Sequence, residues 1–252
     1  MTEGGRAYAV LDFDGFLCNA AWEKLQAWRA AGVRGLTIEY VAAHSAEEIK
    51  REIEQRLPQE QYAEVVSRYA AFMDDPRRTF HDKPIKHAGS AVRDLVDMGH
   101  SVAIVTGRLE ALRWGTLHSL YRFGIRLDFA DPKDPGSVRA DHLLYMRRYP
   151  TTADMNAKEE AIIDVLRRGE VVLGTGDRPG DVAVYEAFSV PTIVLLDGRY
   201  EKSEYSRFRL RGTDRAQRPG VLFIDDLEEL AGAAVKVRRR FDPLPQIHAP
   251  SD

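Results

Sequence analysis

The sequence contains a single cysteine and no long apolar run. With Cys18 alone among 252 residues, no disulfide can form within the chain, and this cysteine usage is typical of a reducing compartment. No stretch approaches the ~20 consecutive apolar residues that a membrane-spanning helix needs. The first residues, MTEGGRAY, lack the charged and apolar regions of a secretion signal. We therefore expect a soluble, cytoplasmic protein that does not enter a membrane.

The chain also lacks an excess of charge of one sign. Its 36 Lys and Arg residues nearly balance 39 Asp and Glu residues, which leaves a formal net charge of -3. This balance excludes a global field for nucleic-acid binding, so any contact with nucleic acid would be local. No internal repeat is visible. With 44% hydrophobic residues, the chain is long enough for one sizeable core, or for a core plus a smaller lobe.

Two aspartates lie at the end of the first apolar run, residues 8–13, which has strand composition. Asp12 and Asp14 are two residues apart, so on a strand their carboxylates would share a face and repel each other unless a cation lay between them or the chain bent away. Mg²⁺ prefers a few carboxylates together with water and phosphate oxygens. Gly15 permits a sharp turn after the strand. Taken alone, this motif fits either a magnesium site or a strand that ends in an Asx-rich turn.

The pattern changes after this motif. Residues 20–79 show apolar side chains at helical spacing and helix-opening and helix-ending residues such as Ser45 and Pro58. From residue 88 to residue 237, strand and helix patterns alternate, which predicts a parallel sheet covered on both faces. We therefore predict a Rossmann-like, doubly wound α/β core from residues 1–19 and 80–237. An all-helical cap at residues 20–79 and a flexible tail at residues 238–252 complete the predicted organisation.

A second motif follows the apolar run Ser101–Thr106, which predicts a buried strand. A strand that ends in Thr106-Gly107 and leads into a helix offers a hydroxyl and backbone N–H groups to an anion. An ordinary strand-to-helix turn has the same pattern. Arg108 fits two interpretations, namely a phosphate ligand and an ion-pair partner of Glu110.

A lysine and a third acidic motif appear later. Lys158 begins a predicted helix, residues 158–168, where the helix dipole disfavours a cation. This lysine has either a functional role or an ordinary surface position. A predicted strand at residues 170–176 then leads into Asp177 and Asp181. Because ligands bind at the carboxyl ends of parallel strands, the three motifs can meet at one edge of the sheet.

The remaining elements follow from the apolar pattern and from the positions of glycine and proline. Further helices are predicted at residues 109–123, 182–188 and 227–237, and strands at residues 125–129, 142–146, 192–196 and 221–225. Residues 131–136 are predicted to form a loop, and so are the arginine-rich residues 207–218.

The order of these motifs resembles the haloacid dehalogenase superfamily of phosphotransferases. The resemblance covers roughly residues 8–196, and the helical insert takes the place of that family's first-position cap. The matching residues are Asp12, Asp14, Gly15, Thr106, Gly107, Lys158, Gly176, Asp177 and Asp181.

The resemblance implies the chemistry of the acidic residues. Asp12 is implied to be the nucleophile that forms an aspartyl-phosphate. Asp14 is implied to protonate the leaving oxygen and then to activate the water that releases phosphate. An acid at this position indicates a phosphate ester, an anhydride or a mutase reaction, because a halide leaves without a proton. Mg²⁺ is the implied cofactor, held by Asp12, the backbone carbonyl of Asp14, Asp177, and Asp181 directly or through water.

The resemblance also implies how the phosphoryl group is bound. The Thr106 hydroxyl and the Gly107 amide would hold its oxygens, and Lys158 would stabilise charge on the nucleophile and the phosphoryl group. Gly15 and Arg108 are the further residues assigned to substrate binding in this part of the chain.

The substrate is expected to be a small phosphorylated metabolite or a nucleotide, because the cap should close over the site and exclude water. The segment His142–Arg148, followed by Lys158, is similar to the phosphatase domain of polynucleotide kinases, which remove terminal phosphates from nucleic acids. Arg147 and Arg148 would then contact a second phosphate or the strand backbone. We predict a Mg²⁺-dependent phosphomonoesterase, with a nucleic-acid 3′-end phosphatase, a phosphomutase and a catalytically silent binding protein as alternatives. The sequence gives no signal of oligomeric state.

Overall fold

A parallel sheet lies at the centre of the molecule. This computed structural model describes residues 6–130, 141–149, 153–196, 200, 202–205 and 220–241. The strands in these ranges are Arg6–Asp12 (β1), Ser101–Leu109 (β2), Phe129–Ala130 (β3), His142–Arg147 (β4), Gly169–Gly176 (β5), Thr192–Leu195 (β6) and Val221–Ile224 (β7). Their spatial order is β3-β4-β2-β1-β5-β6-β7, and every pairing is parallel. The predicted Rossmann-like α/β fold is therefore confirmed, with β1 between β2 and β5.

Helices connect the strands. The α-helices are Ala20–Ala30 (α1), Ile38–Ala43 (α2), Ala46–Arg56 (α3), Gln59–Asp74 (α4), Ala88–Asp97 (α5), Arg113–Arg122 (α6), Asp154–Arg168 (α7), Pro179–Ala187 (α8), Lys202–Tyr205 (α9) and Leu230–Phe241 (α10). Short 3-10 helices lie at Pro76–His81, Glu110–Leu112 and Leu227–Glu229. Within the described ranges, none of these helices has the length and apolar character needed to cross a membrane.

The alternation of side chains along β1 explains why helices cover both faces of the sheet. Ala9 and Leu11 pack into one hydrophobic cluster, to which α5 and α10 contribute. Tyr8 and Val10 pack into a second cluster with α7 and α8. Successive residues of a strand point to opposite faces. A strand buried on both sides therefore has the continuous apolar sequence seen here.

Helices α1–α4 share a hydrophobic cluster of their own. The rings of Trp28 on α1 and Tyr69 on α4 lie 4.1 Å apart, and Ile49 of α3 belongs to the same cluster. Helix α3 begins with a capping box, in which Ser45 accepts from the Glu48 N–H and the Glu48 carboxylate accepts from the Ser45 N–H. The aromatic residues of this segment thus form its core, whereas the limits of a separate cap domain stay a prediction.

Three predicted elements, the helix that became α6 and the strands on either side of it, are wrong in their limits. Strand β2 continues to Leu109, and α6 begins only at Arg113, after the 3-10 helix. The strand predicted at residues 125–129 is reduced to β3, Phe129–Ala130. The reason lies in the Ile125 N–H, which donates to the carbonyl of Leu120 and so closes the end of α6 instead of entering the sheet.

The end of the chain also differs from its prediction. The last helix continues to Phe241, four residues beyond the predicted limit at Val237, so it includes residues 238–241, which the sequence prediction assigns to the tail. Other predictions lie outside the described residues, namely the loop at 131–136, the arginine-rich loop at 207–218 and the tail from residue 242.

Candidate active site

Asp12 and Lys158 form the centre of the site. Asp12 ends β1 and is 4% exposed, and Lys158 lies on α7 and is 6% exposed. The Lys158 Nζ donates to Asp12 Oδ2 at 3.0 Å and to Asp181 Oδ1 at 2.6 Å. Helix α7 begins at Asp154, so Lys158 does not begin the helix as predicted but lies one turn inside it. The surface interpretation of this lysine is wrong, because its ammonium group is buried between two carboxylates.

Three buried carboxylates meet beside this lysine. Oxygens of Asp12, Asp177 and Asp181 all lie within 4.8 Å of one another. Asp177 is fully buried, and Asp181 is 3% exposed. Burial raises the pKa of Asp12 well above its ordinary value, and the charges of Asp181 and Asp177 act in the same direction while Lys158 opposes them. Three hard oxygen donors with excess negative charge are the donor set that suits Mg²⁺.

Gly15 lies directly against this carboxylate cluster. Its φ angle of 91° is in the region that favours glycine. A Cβ atom on Gly15 would lie 2.1 Å from Asp177 Oδ2. The predicted turn is therefore present, and the structure adds a second requirement, because a side chain at Gly15 would displace one of the three carboxylates.

The loop after β5 holds Asp177 and Asp181 in place. Asp181 Oδ2 accepts from the backbone N–H of Asp177 at 3.3 Å and of Arg178 at 3.1 Å. The Tyr205 hydroxyl donates to the backbone carbonyl of Asp177 at 2.8 Å. Because α8 begins at Pro179 and not at residue 182 as predicted, Asp181 lies in its first turn. An acidic residue there is also favoured by the helix dipole.

The Asp14 side chain points to a different partner. It lies against Arg108, which donates from Nε to Asp14 Oδ2 at 2.9 Å and from Nη2 to Asp14 Oδ1 at 2.7 Å. Burial by itself would raise the pKa of Asp14, but the Arg108 guanidinium outweighs burial and lowers the pKa to about 2. Asp14 is therefore held as a carboxylate, apart from the cluster formed by Asp12 and its neighbours. Its charge state fits a general base, and a general-acid role requires a proton delivered against Arg108.

Arg108 binds carboxylates, so its predicted ion pair with Glu110 is wrong. Its Nη1 and Nη2 donate to Asp82 at 2.8 Å each, and its Nη2 also donates to Glu23 at 3.2 Å. Glu110 instead accepts from Arg113. With the Asp14 bonds, three carboxylates surround one guanidinium, which is itself 3% exposed. Contact between Arg108 and a phosphate stays a prediction.

Sequence reasoning missed Asp82, Glu23 and Arg78. Asp82 is fully buried and also accepts from the Ser119 hydroxyl at 2.7 Å. Glu23, on α1, pairs with Arg78 as well as with Arg108. These partners are separated by 26 to 85 residues. No local sequence pattern indicates these contacts, because only the fold brings together α1, β2 and the 3-10 helix Pro76–His81.

Thr106 and Gly107 lie within β2 instead of at a helix start. The register between β2 and β4 shifts between Thr106 and Leu109, which bends the strand next to the site. The Thr106 hydroxyl lies 3.4 Å from Asp14 Oδ2 and accepts from the backbone N–H of Arg108 at 3.2 Å. Gly107 lines the cavity described next. Phosphoryl binding by these two residues stays a prediction.

A cavity of about 240 Å³ opens above these residues, between the sheet edge and the helical segment. Asp12, Asp14, Gly107 and Lys158 line it, together with Arg147 from the end of β4. Its other charged lining residues are Glu23, Lys24, Asp74, Arg78, Arg108 and Arg178. The structure thus brings a buried carboxylate, an ammonium group and a second carboxylate to one cavity. This arrangement can attack and stabilise an electrophilic, anionic group such as phosphate.

No model of a protein family matches the sequence. No curated protein matches it significantly. Solved structures are nevertheless similar to this one. A haloacid dehalogenase-like hydrolase from Streptococcus pneumoniae is 13% identical, with a TM-score of 0.60, over 92% of this chain and all of the other. Protein tyrosine kinase A from Mycobacterium tuberculosis is 18% identical, with a TM-score of 0.62, over 92% of this chain and 99% of the other. A HAD-superfamily hydrolase of subfamily IA from Geobacter sulfurreducens is 12% identical, with a TM-score of 0.57, over 92% of this chain and 99% of the other. The chain therefore has the fold of the haloacid dehalogenase superfamily, as its motifs predict.

Proposed function

We propose that this protein is a Mg²⁺-dependent phosphomonoesterase that acts through an aspartyl-phosphate. The observation that carries the proposal is the position of Asp12. Its carboxylate lies at the carboxyl end of the central strand, is held by Lys158, and adjoins two further buried carboxylates. The shared fold supports a phosphatase-type function.

Two hydrogen bonds, one to each carboxylate oxygen, orient Asp12 for attack on phosphorus. Its Oδ1 accepts from the backbone N–H of Phe13 at 2.9 Å, and its Oδ2 accepts from Lys158. In the first step a carboxylate oxygen forms a bond to phosphorus, and the bond from phosphorus to the ester oxygen breaks. Asp14 is a carboxylate in the free protein, so it relays to the departing alkoxide a proton that it takes from the bound phosphate monoester. In the second step water attacks phosphorus, the bond to Asp12 breaks, and Asp14 receives the proton of the water and then releases it to solvent.

The residues present fit a divalent cation. Asp12, Asp177 and Asp181 would hold Mg²⁺, because their oxygens converge and Gly15 leaves room for Asp177. When bound, the ion supplies positive charge that neutralises a phosphate dianion and favours the ionised form of Asp12. Lys158 contributes positive charge at the same place from the chain itself.

The cavity favours a small substrate. Its volume of about 240 Å³ lies just below the ~300–1,000 Å³ that is typical of small-molecule and cofactor sites. A phosphorylated metabolite or a nucleotide therefore fits better than a long chain. One observation favours the nucleic-acid alternative, because Arg147 of the polynucleotide kinase-like segment lines the cavity and can meet a second phosphate at a strand end.

A phosphatase screen with and without Mg²⁺ tests the proposal. Its substrates are para-nitrophenyl phosphate, sugar phosphates, mononucleotides and an oligonucleotide with a 3′-phosphate. We expect phosphate release that depends on Mg²⁺, with small esters preferred. Preference for the oligonucleotide would favour the alternative substrate, and phosphate transfer to an acceptor hydroxyl would indicate a mutase. Inactivity on the whole panel would refute the proposal and indicate a binding protein.

Mg²⁺ should stabilise the protein more at about pH 8 than at about pH 5. The native pKa of Asp12 is raised, so its contribution to the stability of the metal-free protein falls as the pH rises from the ordinary Asp value toward the native one. Mg²⁺ competes with the proton for the Asp12 carboxylate. Its stabilising effect is therefore largest at a pH at which Asp12 has lost its proton. Asp14, with its pKa of about 2, does not titrate in this window. The measurement is the melting temperature of chelator-treated protein with and without Mg²⁺ at both pH values.

Two variants control this experiment. Asp177→Asn removes a buried member of the carboxylate cluster and should lose most of the Mg²⁺-dependent shift. Asp97→Asn changes an exposed aspartate at the end of α5 and should retain the shift. A shift that is equal at both pH values, or unchanged in Asp177→Asn, would contradict the proposed ion site.

A further inference from the structure

Arg78 is a buried arginine on the wall of the cavity. It lies in the 3-10 helix after α4 and is only 7% exposed. Arginine is rarely buried without partners for its charge. The mechanism described above gives Arg78 no role, although it lines the same cavity as Asp12 and Lys158.

The hydrogen bonding of Arg78 is incomplete. Its Nη1 donates to Glu23. Its Nε is buried and has no hydrogen-bond partner among the residues that the structure describes. A buried donor that bonds to neither protein nor water costs free energy. Arginine carries donors only, so the group that completes this site is an acceptor, and the charge of Arg78 favours an anion.

Arg78 lies near the residues that are proposed to act on the leaving group of the substrate. One oxygen of Glu23 accepts from Arg78 and the other accepts from Arg108, so the two guanidinium groups lie on either side of one carboxylate. Arg108 in turn holds Asp14, the residue proposed to protonate the leaving oxygen. Arg78 therefore lies on the side of the site where Arg108 of β2 holds Asp14, whereas Asp177 and Asp181 follow β5, the other neighbour of β1 in the sheet.

We infer that Arg78 binds a second anionic group, a phosphate or a carboxylate, on the alcohol part of the substrate. Arg78 is thus a specificity-determining residue that selects phosphomonoesters with two anionic groups. Lys24 and Arg147 line the same cavity and add positive charge to it, and Asp74 adds one negative charge. The inference rests on the proposed phosphomonoesterase function and narrows its substrate class.

Matched substrates test the inference. Adenosine 3′,5′-bisphosphate is compared with adenosine 3′- and 5′-monophosphate, and fructose 1,6-bisphosphate with fructose 6-phosphate. Para-nitrophenyl phosphate carries no second anion. We expect kcat/KM of the wild type to be about tenfold or more higher for the bisphosphate in at least one pair. The pair that shows the preference distinguishes nucleotides from sugar phosphates. Equal values in both pairs would overturn the inference.

Variants of Arg78 then locate the effect. Arg78→Gln should lower kcat/KM for the preferred bisphosphate by about ten- to a hundredfold more than it lowers kcat/KM for para-nitrophenyl phosphate. Arg78→Lys keeps the charge but loses the planar fork of the guanidinium group. Its kcat/KM for the bisphosphate should lie between those of Arg78→Gln and the wild type. Arg77→Gln changes the neighbouring exposed arginine and should match the wild type.

The remaining outcomes separate the possible causes. Equal loss on all substrates in Arg78→Gln would overturn the inference, because Arg78 would then act only as the counter-ion of Glu23. If Arg78→Gln does not fold, the bisphosphate preference of Arg78→Lys decides, and an undiminished preference overturns the inference. A wild type that hydrolyses no ester refutes the proposed function instead. Calorimetric binding of adenosine 3′,5′-bisphosphate against the monophosphates then still reports on Arg78, and equal affinities overturn its role.

Discussion

Replacing Asp12 by Asn is expected to abolish turnover of para-nitrophenyl phosphate, with kcat falling by at least ~10⁴-fold. A carboxamide cannot form the covalent phosphoryl intermediate that the mechanism requires. The change is nearly isosteric, and the Asn oxygen can still accept from either Phe13 or Lys158. Asn also removes a buried negative charge beside Asp177 and Asp181, so the metal-free variant should stay folded.

The controls separate lost chemistry from lost structure. Asp97→Asn makes the same substitution at an exposed position and should keep wild-type kcat. Urea denaturation of Asp12→Asn should show a cooperative transition, with a free energy of unfolding not more than ~1 kcal/mol below that of the wild type. Hydrolysis retained at about a tenth of the wild-type rate by a folded variant would remove Asp12 from the role of nucleophile.

The two aspartates of the first motif show how one site separates its charges. Asp12 and Asp14 are two residues apart in sequence, yet the pKa of Asp12 is raised and that of Asp14 is lowered to about 2. The carboxylates do not share a cation, because Asp12 faces Lys158 and Asp14 faces Arg108. The repulsion between the Asp12 and Asp14 carboxylates is thus reduced because they point in different directions and because each has its own counter-ion. Environments that shift two pKa values apart are typical of sites with distinct acid–base roles.

Most of the fold could be predicted because its signals are local. The continuous apolar run of β1 indicates a strand buried on both faces, and the alternation of strand and helix patterns indicates parallel pairing. The exact limits depended on hydrogen bonds that sequence patterns do not show. The Ile125 N–H bonds back to Leu120, and β2 extends to Leu109 through the register shift against β4. Both features are set by neighbouring elements.

The site could be predicted only where its residues follow strands. Asp12, Asp177 and Asp181 come together because β1 and β5 are neighbours in the sheet. Arg108 has the spacing of a phosphate-binding residue, but its partners are Asp82 and Glu23, from elements distant in sequence. An arginine in a motif bonds to whichever anion the fold places within reach. Burial of Asp82 and Glu23 is a tertiary property that no local pattern reports.

Replacing Lys158 by Met should impair both activity and stability. Lys158 is the cation between Asp12 and Asp181, so its removal leaves two buried carboxylates without that counter-ion. Removing one partner of a buried ion pair costs about 3–5 kcal/mol. We expect this loss in the metal-free variant at about pH 8, measured by urea denaturation. The loss should be smaller at about pH 5, because protonation of Asp12 relieves the repulsion. We expect kcat to fall by ~10³-fold or more, since transition-state charge loses its stabilising ammonium group.

The same helix offers the matched control. Arg167 is exposed on α7, and Arg167→Met should change the free energy of unfolding by no more than ~0.5 kcal/mol and leave kcat unchanged. Mg²⁺ should restore part of the stability of Lys158→Met, because a dication near Asp12 and Asp181 replaces the lost positive charge. Restored stability without restored turnover would separate the two roles of the lysine. If Mg²⁺ has no effect on the stability of this variant, the carboxylates do not form an ion site, and Lys158 is then only the counter-ion of a buried acidic pair.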